Sequence, residues 1–338
     1  MWNRLRRAKE FPAGFHAMEP LGDCVLCVTI LDSSSRMYLC EPWDGLWVWA
    51  NQVNDRHLPY IGTGMQAHFA GLNICISGRC EVCPLDSAYV YMEPGMLCID
   101  EHTPKDGYWY PSRSYTGLEI VFDLDRLSQN PIPELSAYCD YDGWVRRALD
   151  NHGGLYLGAV GAECGRLTEQ LYSHLEAADW SLEQYRLHLL LLLYTMVNGG
   201  EAPVRDRAYV TKGQKAIADD VERRITEDLS RHESIPHLAQ QHGISPSALK
   251  KYFEAVYGQP ISFYLRGKRM DFARQRLAQT KDSVGSIAAD CGYASQGKFG
   301  AVFRECTGMS PLEYRRRSYR KTEAGHEPGE GGTSNEFE

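Results

Sequence analysis

Apolar positions along the chain change their period near residue 123. From Asp23 to Phe122 they come in short blocks broken by Gly, Pro, Asp and Ser; beyond, they recur every three to four residues. The first pattern predicts strands and the second helices. The candidate strands are Cys24–Leu31, Arg36–Cys40, Leu46–Gln52, Leu72–Ser77, Arg79–Cys83, Ala88–Met92, Met96–Ile99 and Tyr115–Phe122. Ser77-Gly78 and the stretch from Pro84 to Ser87 read as hairpin turns. Glu93-Pro94-Gly95 puts Pro second and Gly third, as a type II turn requires. Many short strands with regular turns predict a small barrel or sandwich. Residues 1–20 read as an arm or a short first helix.

After Phe122 the helical reading begins with one turn at Asp123–Leu127, ended by Pro131 and Pro133. A helix follows over Glu134–Leu149, weakened by Gly143, and another over Ala162–Ala178 with Leu167, Leu171 and Leu175 in one row. Ser181 and Gln184 form a capping box for a helix reaching about Val197. Its Leu182, Leu189, Leu190, Leu192, Leu193 and Met196 cover more than one face, which predicts burial on several sides. Such a helix also suits an antiparallel contact between two protomers. Glu201–Arg207 has no apolar period and reads as a linker. Lys212–Leu229 resumes a helix, with Ile217, Val221, Ile225 and Leu229 stacked.

Between Ser234 and Arg316 one pattern occurs twice. Ile235, Leu238 and Ala239 make a short apolar face, Gly243 supplies a turn, and Ser245-Pro246 caps a second helix buried through Leu249, Phe253 and Val256. Val284, Ile287, Ala288 and Cys291 repeat the face. Gly292 repeats the turn, Ser295 the cap, and Phe299, Val302 and Phe303 the buried stripe. Both copies close on Gly followed by Pro, at Gly258-Gln-Pro260 and Gly308-Met-Ser-Pro311. Ile261–Gln279 links them, with Phe263, Tyr264, Met270, Ala273 and Leu277 as candidate buried positions. Each copy has the form of a helix-turn-helix.

The run Tyr264-Leu265, Arg269-Met270, Ala273, Leu277, Ile287-Ala288, Gly292-Tyr293, Phe299, Phe303-Arg304, Gly308-Met309-Ser310-Pro311 and Tyr314-Arg315 resembles the DNA-binding domain of AraC/XylS-type bacterial transcription regulators. The resemblance covers roughly Thr211 to Arg317. It implies an α+β fold: an N-terminal cupin-like β-barrel or sandwich with trailing helices, then an all-α domain of two helix-turn-helix units. The expected bounds are 1–200 for effector sensing and dimerisation (strands about 23–122, helices about 123–198), 201–210 for the linker, 211–318 for DNA binding and 319–338 for a disordered tail.

The implied function is sequence-specific DNA binding by a ligand-responsive activator. Its partners would be double-stranded DNA in the major groove, a small-molecule effector, a second copy in a homodimer, and RNA polymerase. The positions that match the family's contacts are Ser247, Lys250 and Lys251 on the first reading helix, and Gln296, Lys298, Ala301 and Arg304 on the second. Arg315, Arg316 and Arg317 add candidate phosphate contacts. The second helix departs from the family, with Ala301 where many members carry a base-reading Arg and with Gly297 and Gly300 where they carry larger polar groups. Weaker base readout is expected there. No motif identifies ligand-binding residues.

Charge supports this division. The net charge of −8 hides a basic segment. Residues 211–320 hold 19 Lys and Arg against 12 Asp and Glu, while 1–210 carry a net −11 and 321–338 a net −4. Phosphate attracts the first and repels the others. The basic stretch Trp2–Lys9 lacks the apolar run of a secretory leader, and the run Leu187–Val197 is too short to span a bilayer. With 11 cysteines in a chain of 338 residues, free thiols in a reducing cytoplasm are expected.

Catalytic readings find little support. No Gly-x-Ser-x-Gly, phosphate loop or Gly-x-Gly-x-x-Gly occurs, and no enzyme activity or cofactor is expected. Cys24/Cys27 and Cys80/Cys83 could complete a zinc site. Cys24 and Cys27, however, read as strand residues facing opposite ways. His57, His68, Glu101 and His102 lack a metallo-cupin spacing, so no metal is expected. Dense aromatics (Trp43, Trp47, Trp49, Tyr60, Tyr89, Tyr91, Tyr108, Trp109 and Tyr110) suit either core packing or a ligand pocket. Two alternatives stay open: a constitutive DNA-binding dimer without effector, and a metallo-cupin enzyme fused to a DNA-binding module.

Overall fold

The computed structural model describes residues 15–30, 33–58, 68–82, 88–101, 107–199 and 209–324. Residues 1–14, Tyr60, Cys83 with the turn at 84–87, His102, the linker residues 201–208 and the tail beyond 324 lie outside them. The chain divides into two compact units, Met1–Lys212 with Ala255–Gly258, and Gly213–Glu254 with Gln259–Glu338.

The first unit is built on an antiparallel sheet of eight strands. In chain order these are β1 (Phe15–Leu21), β2 (Val25–Ile30), β3 (Arg36–Trp43), β4 (Leu46–Val53), β6 (Phe69–Gly78), β9 (Met96–Glu101), β11 (Tyr115–Asp123) and β12 (Leu155–Ala159). They lie side by side as β1-β2-β3-β4-β11-β6-β9-β12. Short strands complete the strand set: β5 (His57–Leu58) with β10 (Tyr108–Trp109), and β7 (Cys80–Val82) with β8 (Ala88–Met92) and β13 (Val210–Thr211).

Strand alternation divides the sheet's side chains between two cores. On β11, Leu118, Ile120 and Phe122 face a helical layer. That layer comprises α1 (Leu124–Gln129), α2 (Pro133–Ser136), α3 (Tyr141–Asp150), α4 (Ala162–Ala177) and α5 (Leu182–Gly199). The opposite face carries Val28, Met37, Val53, Cys75, Cys98, Tyr115 and Leu157, packed with Leu58, Val82, Val90 and Met92 of the short strands. Val28 on β2 and Leu157 on the far edge strand share that core. That core runs along one face of the sheet. The sheet does not close: among the described residues, β1 and β12 remain separate edges. The expected barrel is thus an open sheet with helices packed on one face.

Other expectations need correction. The region read as an arm or helix contains β1, paired with β2 from Phe15↔Ile30 to Leu21↔Val25. The helix expected over Glu134–Leu149 is two helices. Asp140 accepts a hydrogen bond from the Gly143 amide and so caps α3 at the point where a continuous helix would have run. Val210–Thr211, at the end of the expected linker, pair with Tyr89 and Ala88. Cys24 lies in a turn before β2 rather than in the strand, so the alternation argument does not hold for it. Cys24 and Cys27 are both half-buried and pack against the same core. The His57 ring lies tilted against Trp109, with ring centroids 4.5 Å apart. No group of three His, Cys, Asp or Glu residues suited to a metal ion occurs among the described residues.

The Ser181 cap forms as expected, with the Gln184 amide donating to the Ser181 hydroxyl and the Ser181 amide to the Gln184 side chain. α5 is less buried than its sequence suggests. Tyr185, Leu189, Leu192, Leu193 and Met196 are in the core, but Leu187, Leu191 and Tyr194 are 67%, 49% and 45% exposed. No helix among the described residues is long and apolar enough to cross a membrane.

Candidate nucleic-acid interface

Apart from Lys212 and the last residues of α8, which count with the first unit, the second unit consists of α6 (Lys212–Glu227), α7 (Ile235–Gln241), α8 (Pro246–Tyr257), α9 (Ile261–Gln279), α10 (Val284–Asp290), α11 (Gln296–Thr307) and α12 (Pro311–Ala324). α7 and α8 form the first helix-turn-helix; α10 and α11 form the second. The turns depend on glycine because Gly243 and Gly292 sit at φ +63° and +72°, where L residues are strained. At Gly292 space forbids a side chain as well. A Cβ would lie 2.6 Å from the Arg269 guanidinium and 2.9 Å from the carbonyl oxygens of Leu229 and Ser230.

All four helices of the two helix-turn-helices start on a serine. The Ser234 hydroxyl accepts from the His237 amide, Ser245 from Ala248, Ser283 from Ser286 and Ser295 from Lys298, at 3.3, 3.1, 3.0 and 3.2 Å. These caps satisfy amides that would otherwise lack partners and contribute about 1 kcal/mol each.

Buried aromatics orient the second helix of each helix-turn-helix. Leu249 and Phe253 turn α8 inward, and Phe253 meets Tyr264 of α9 edge-on at 5.4 Å. The Tyr264 hydroxyl in turn donates to the buried Glu222 carboxylate of α6 at 2.9 Å. In the second half, Phe299 and Phe303 are fully buried among Met270, Ala273, Leu277, Val284, Ile287 and Cys291. Phe263, expected to be buried, is 63% exposed. Its neighbour Tyr264 takes the inward position, and adjacent helical residues point about 100° apart.

Fixing the inward stripes decides what points outward. Ser247, Lys250 and Lys251 are exposed on α8, with Glu254 beside them; Gln296, Lys298, Ala301 and Arg304 are exposed on α11. The structure thus brings the sequence-derived positions onto the free faces of two capped helices. Lys250, Lys251, Lys298 and Arg304 take part in no salt bridge among the described residues. Other cations are already engaged. Arg266 of α9 pairs with Glu305 of α11 at 2.6 Å and donates to the Cys306 thiol at 3.6 Å. Arg315, expected to be free for phosphate, is half-buried and donates to the Asp282 carbonyl. Arg316 and Arg317 are exposed. Sequence patterning does not reveal these internal roles, because Arg266 and Arg315 meet residues far along the chain.

The N-terminal end of α10 is held by a second polar cluster. Asp282 accepts from the Thr280 hydroxyl at 2.8 Å and from Arg276 Nε at 3.1 Å. The Thr280 hydroxyl, then the Arg276 guanidinium, hold the Asp282 carboxyl below its ordinary range.

The outward face of α11 is nearly bare. Virtual side chains at Gly297 and Gly300 would meet nothing within 4 Å. Neither glycine has a positive φ, so the fold itself does not require them. Replacing both with alanine is expected to stabilise the second unit by about 1 kcal/mol per site, read as a rise in its thermal midpoint. An unchanged or lower midpoint would contradict this account of the helix.

A helix-turn-helix family model matches residues 238–317. Over 101 residues the chain is 33% identical to the regulatory protein SoxS of Escherichia coli, covering 30% of this chain and 94% of SoxS. Over 105 residues it is 33% identical to the transcriptional activator RhaR of Klebsiella pneumoniae, covering 31% of this chain and only 37% of RhaR. A crystal structure of a transcriptional regulator with an AraC-type DNA-binding domain, from Chromobacterium violaceum, is 26% identical over 31% of this chain and 91% of that one. Its TM-score of 0.28 is too low to bear on the fold.

Proposed function

The chain belongs to the AraC/XylS-type transcription regulators, and from that premise we propose that it is a ligand-responsive activator reading a bipartite DNA site. The supporting observation is the pair of capped, inwardly anchored helices whose free faces carry Ser247, Lys250 and Lys251 on one and Gln296, Lys298, Ala301 and Arg304 on the other. In a helix-turn-helix the second helix enters the major groove, so α8 and α11 are the reading helices. Lys250 and Lys251 supply phosphate or guanine contacts, and Glu254 can accept from cytosine. On α11, Gln296 and Lys298 read while Arg304 holds the backbone. Ala301 offers only a methyl group, which suits contact with thymine. Activation is supported by the relatives' printed names alone.

The first unit serves as the sensor and the dimer contact in this reading. The face of its sheet that carries Trp49 mixes aromatic and polar groups. Trp49 lies opposite Glu119, and Glu119 opposite Asn73, in register across three strands. The Asn51 amide donates to Glu119 at 3.3 Å, and the Tyr115 hydroxyl to Asn73 at 2.7 Å. The indole N–H of the buried Trp47 has no partner among the described residues. Such a surface suits a small polar effector. Leu187, Leu191 and Tyr194, spaced along one face of α5, form the proposed homodimer contact. Replacing all three with serine is expected to convert a dimer to a monomer in sedimentation. A wild-type chain that already sediments as a monomer removes the dimer reading.

Selection of the full-length chain against a random duplex pool at several salt concentrations tests the central reading. Two short blocks about one helical turn apart are expected. Steep salt dependence with no enriched sequence would mean that phosphate contacts dominate, and would overturn site-specific regulation.

A further inference from the structure

We infer that Arg269 is a positioning residue that fixes the spacing between the two halves of the DNA site. The inference rests on the bipartite reading above. Arg269 lies near the middle of the linking helix α9 and is 7% exposed. Its guanidinium donates through Nε to the Leu229 carbonyl at 3.0 Å and through Nη2 to the Arg231 carbonyl at 3.3 Å. Those carbonyls belong to the segment joining α6 to α7, at the entrance to the first helix-turn-helix. The same guanidinium lies 5.9 Å from the ring centre of Tyr293, in the turn of the second helix-turn-helix. Cys291, at the end of α10, donates its thiol to the Arg269 backbone carbonyl at 3.3 Å. One residue therefore touches both halves, and Gly292 leaves the space that lets it do so.

A buried cation is costly unless its hydrogen bonds are met, so the guanidinium holds these carbonyls in place rather than merely resting beside them. Arginine suits the task because a planar fork can bond two carbonyls while its face lies against a ring. The remaining ties of the second half to α9, through Arg266, Arg276 and the apolar core, do not reach the first half. Loosening the Arg269 contacts should leave each reading helix intact and free the angle between them. On DNA, one inserted base pair moves one block by about 3.4 Å along the axis and by about a tenth of a turn around it. A rigid pair of helices rejects that change; a loosened pair follows it.

The test uses the full-length chain and the two-block site recovered from the random pool, with zero, one or two base pairs inserted or removed between the blocks. The wild-type chain should lose at least tenfold in affinity for each base pair of mis-spacing. Arg269→Gln should recover the same two blocks yet lose less than about threefold per base pair. Tyr293→Leu keeps the carbonyl bonds, removes the ring and should fall between. It also serves as the variant of record if Arg269→Gln does not fold. If a folded variant binds every site more weakly but keeps the wild-type spacing preference, Arg269 is only structural and the inference fails. If the wild-type chain recovers a single block, the bipartite reading fails and the inference with it.

Discussion

Phe303→Ala is expected to unfold the second helix-turn-helix while sparing the first. Phe303 is fully buried, 5.7 Å from Phe299 and 5.5 Å from Tyr314 between ring centres. Truncating such a residue costs about 3–5 kcal/mol, from lost burial and the cavity left behind. That is a large part of the roughly 5–15 kcal/mol that a whole domain has. The first half has its own anchors in Phe253, Tyr264 and Glu222, outside this cluster. Thermal unfolding should show a separate, lowered transition, and DNA selection should recover one block instead of two. A midpoint close to wild type would mean that the cluster collapses around the missing ring. Loss of both blocks together would mean that the halves fold as one cooperative unit.

Lys250→Ala with Lys251→Ala should weaken DNA binding in a salt-dependent way. Both lysines are exposed on α8, and neither is tied to an internal carboxylate among the described residues. If both meet phosphate, the slope of log affinity against log salt should become shallower by about 1.8, since each phosphate contact contributes about 0.9. Base preference should then be unchanged. If one of them bonds guanine instead, the slope changes by less and preference relaxes at one position, with a loss of about 1–3 kcal/mol there. Titrations at three salt concentrations with the selected site and a scrambled one separate these outcomes. No change in affinity or slope would remove α8 as a reading helix. Thermal stability should stay near wild type, because exposed lysines contribute little to the core.

The helical half was legible because its signals are local. Serines three residues before an amide, glycines at turns, and apolar rows at helical spacing are each decided within a few residues. The same holds for which side chains of α8 and α11 face out, since burying Leu249, Phe253, Phe299 and Phe303 leaves only one face free. The strands were partly legible. β8 has the expected bounds, and several others run one to three residues further. β1 and β12 were missed because each owes its pairing to a partner strand rather than to its own pattern, β1 to β2 and β12 to β9.

The sequence by itself determined the chain's two-part character, the duplicated helix-turn-helix, its capped turns and the basic charge of the segment that carries them. Those features follow from short-range sterics, hydrogen bonding and composition. Tertiary structure alone decided the rest. It decided that the sheet stays open, that Leu187, Leu191 and Tyr194 of α5 remain uncovered, and that Arg315 is held by Asp282 while Arg316 stays exposed. It also placed the Arg269 guanidinium between Leu229, Arg231 and Tyr293. The physical reason is common to all of these. A side chain's role depends on which distant backbone it meets, and no local pattern encodes that meeting.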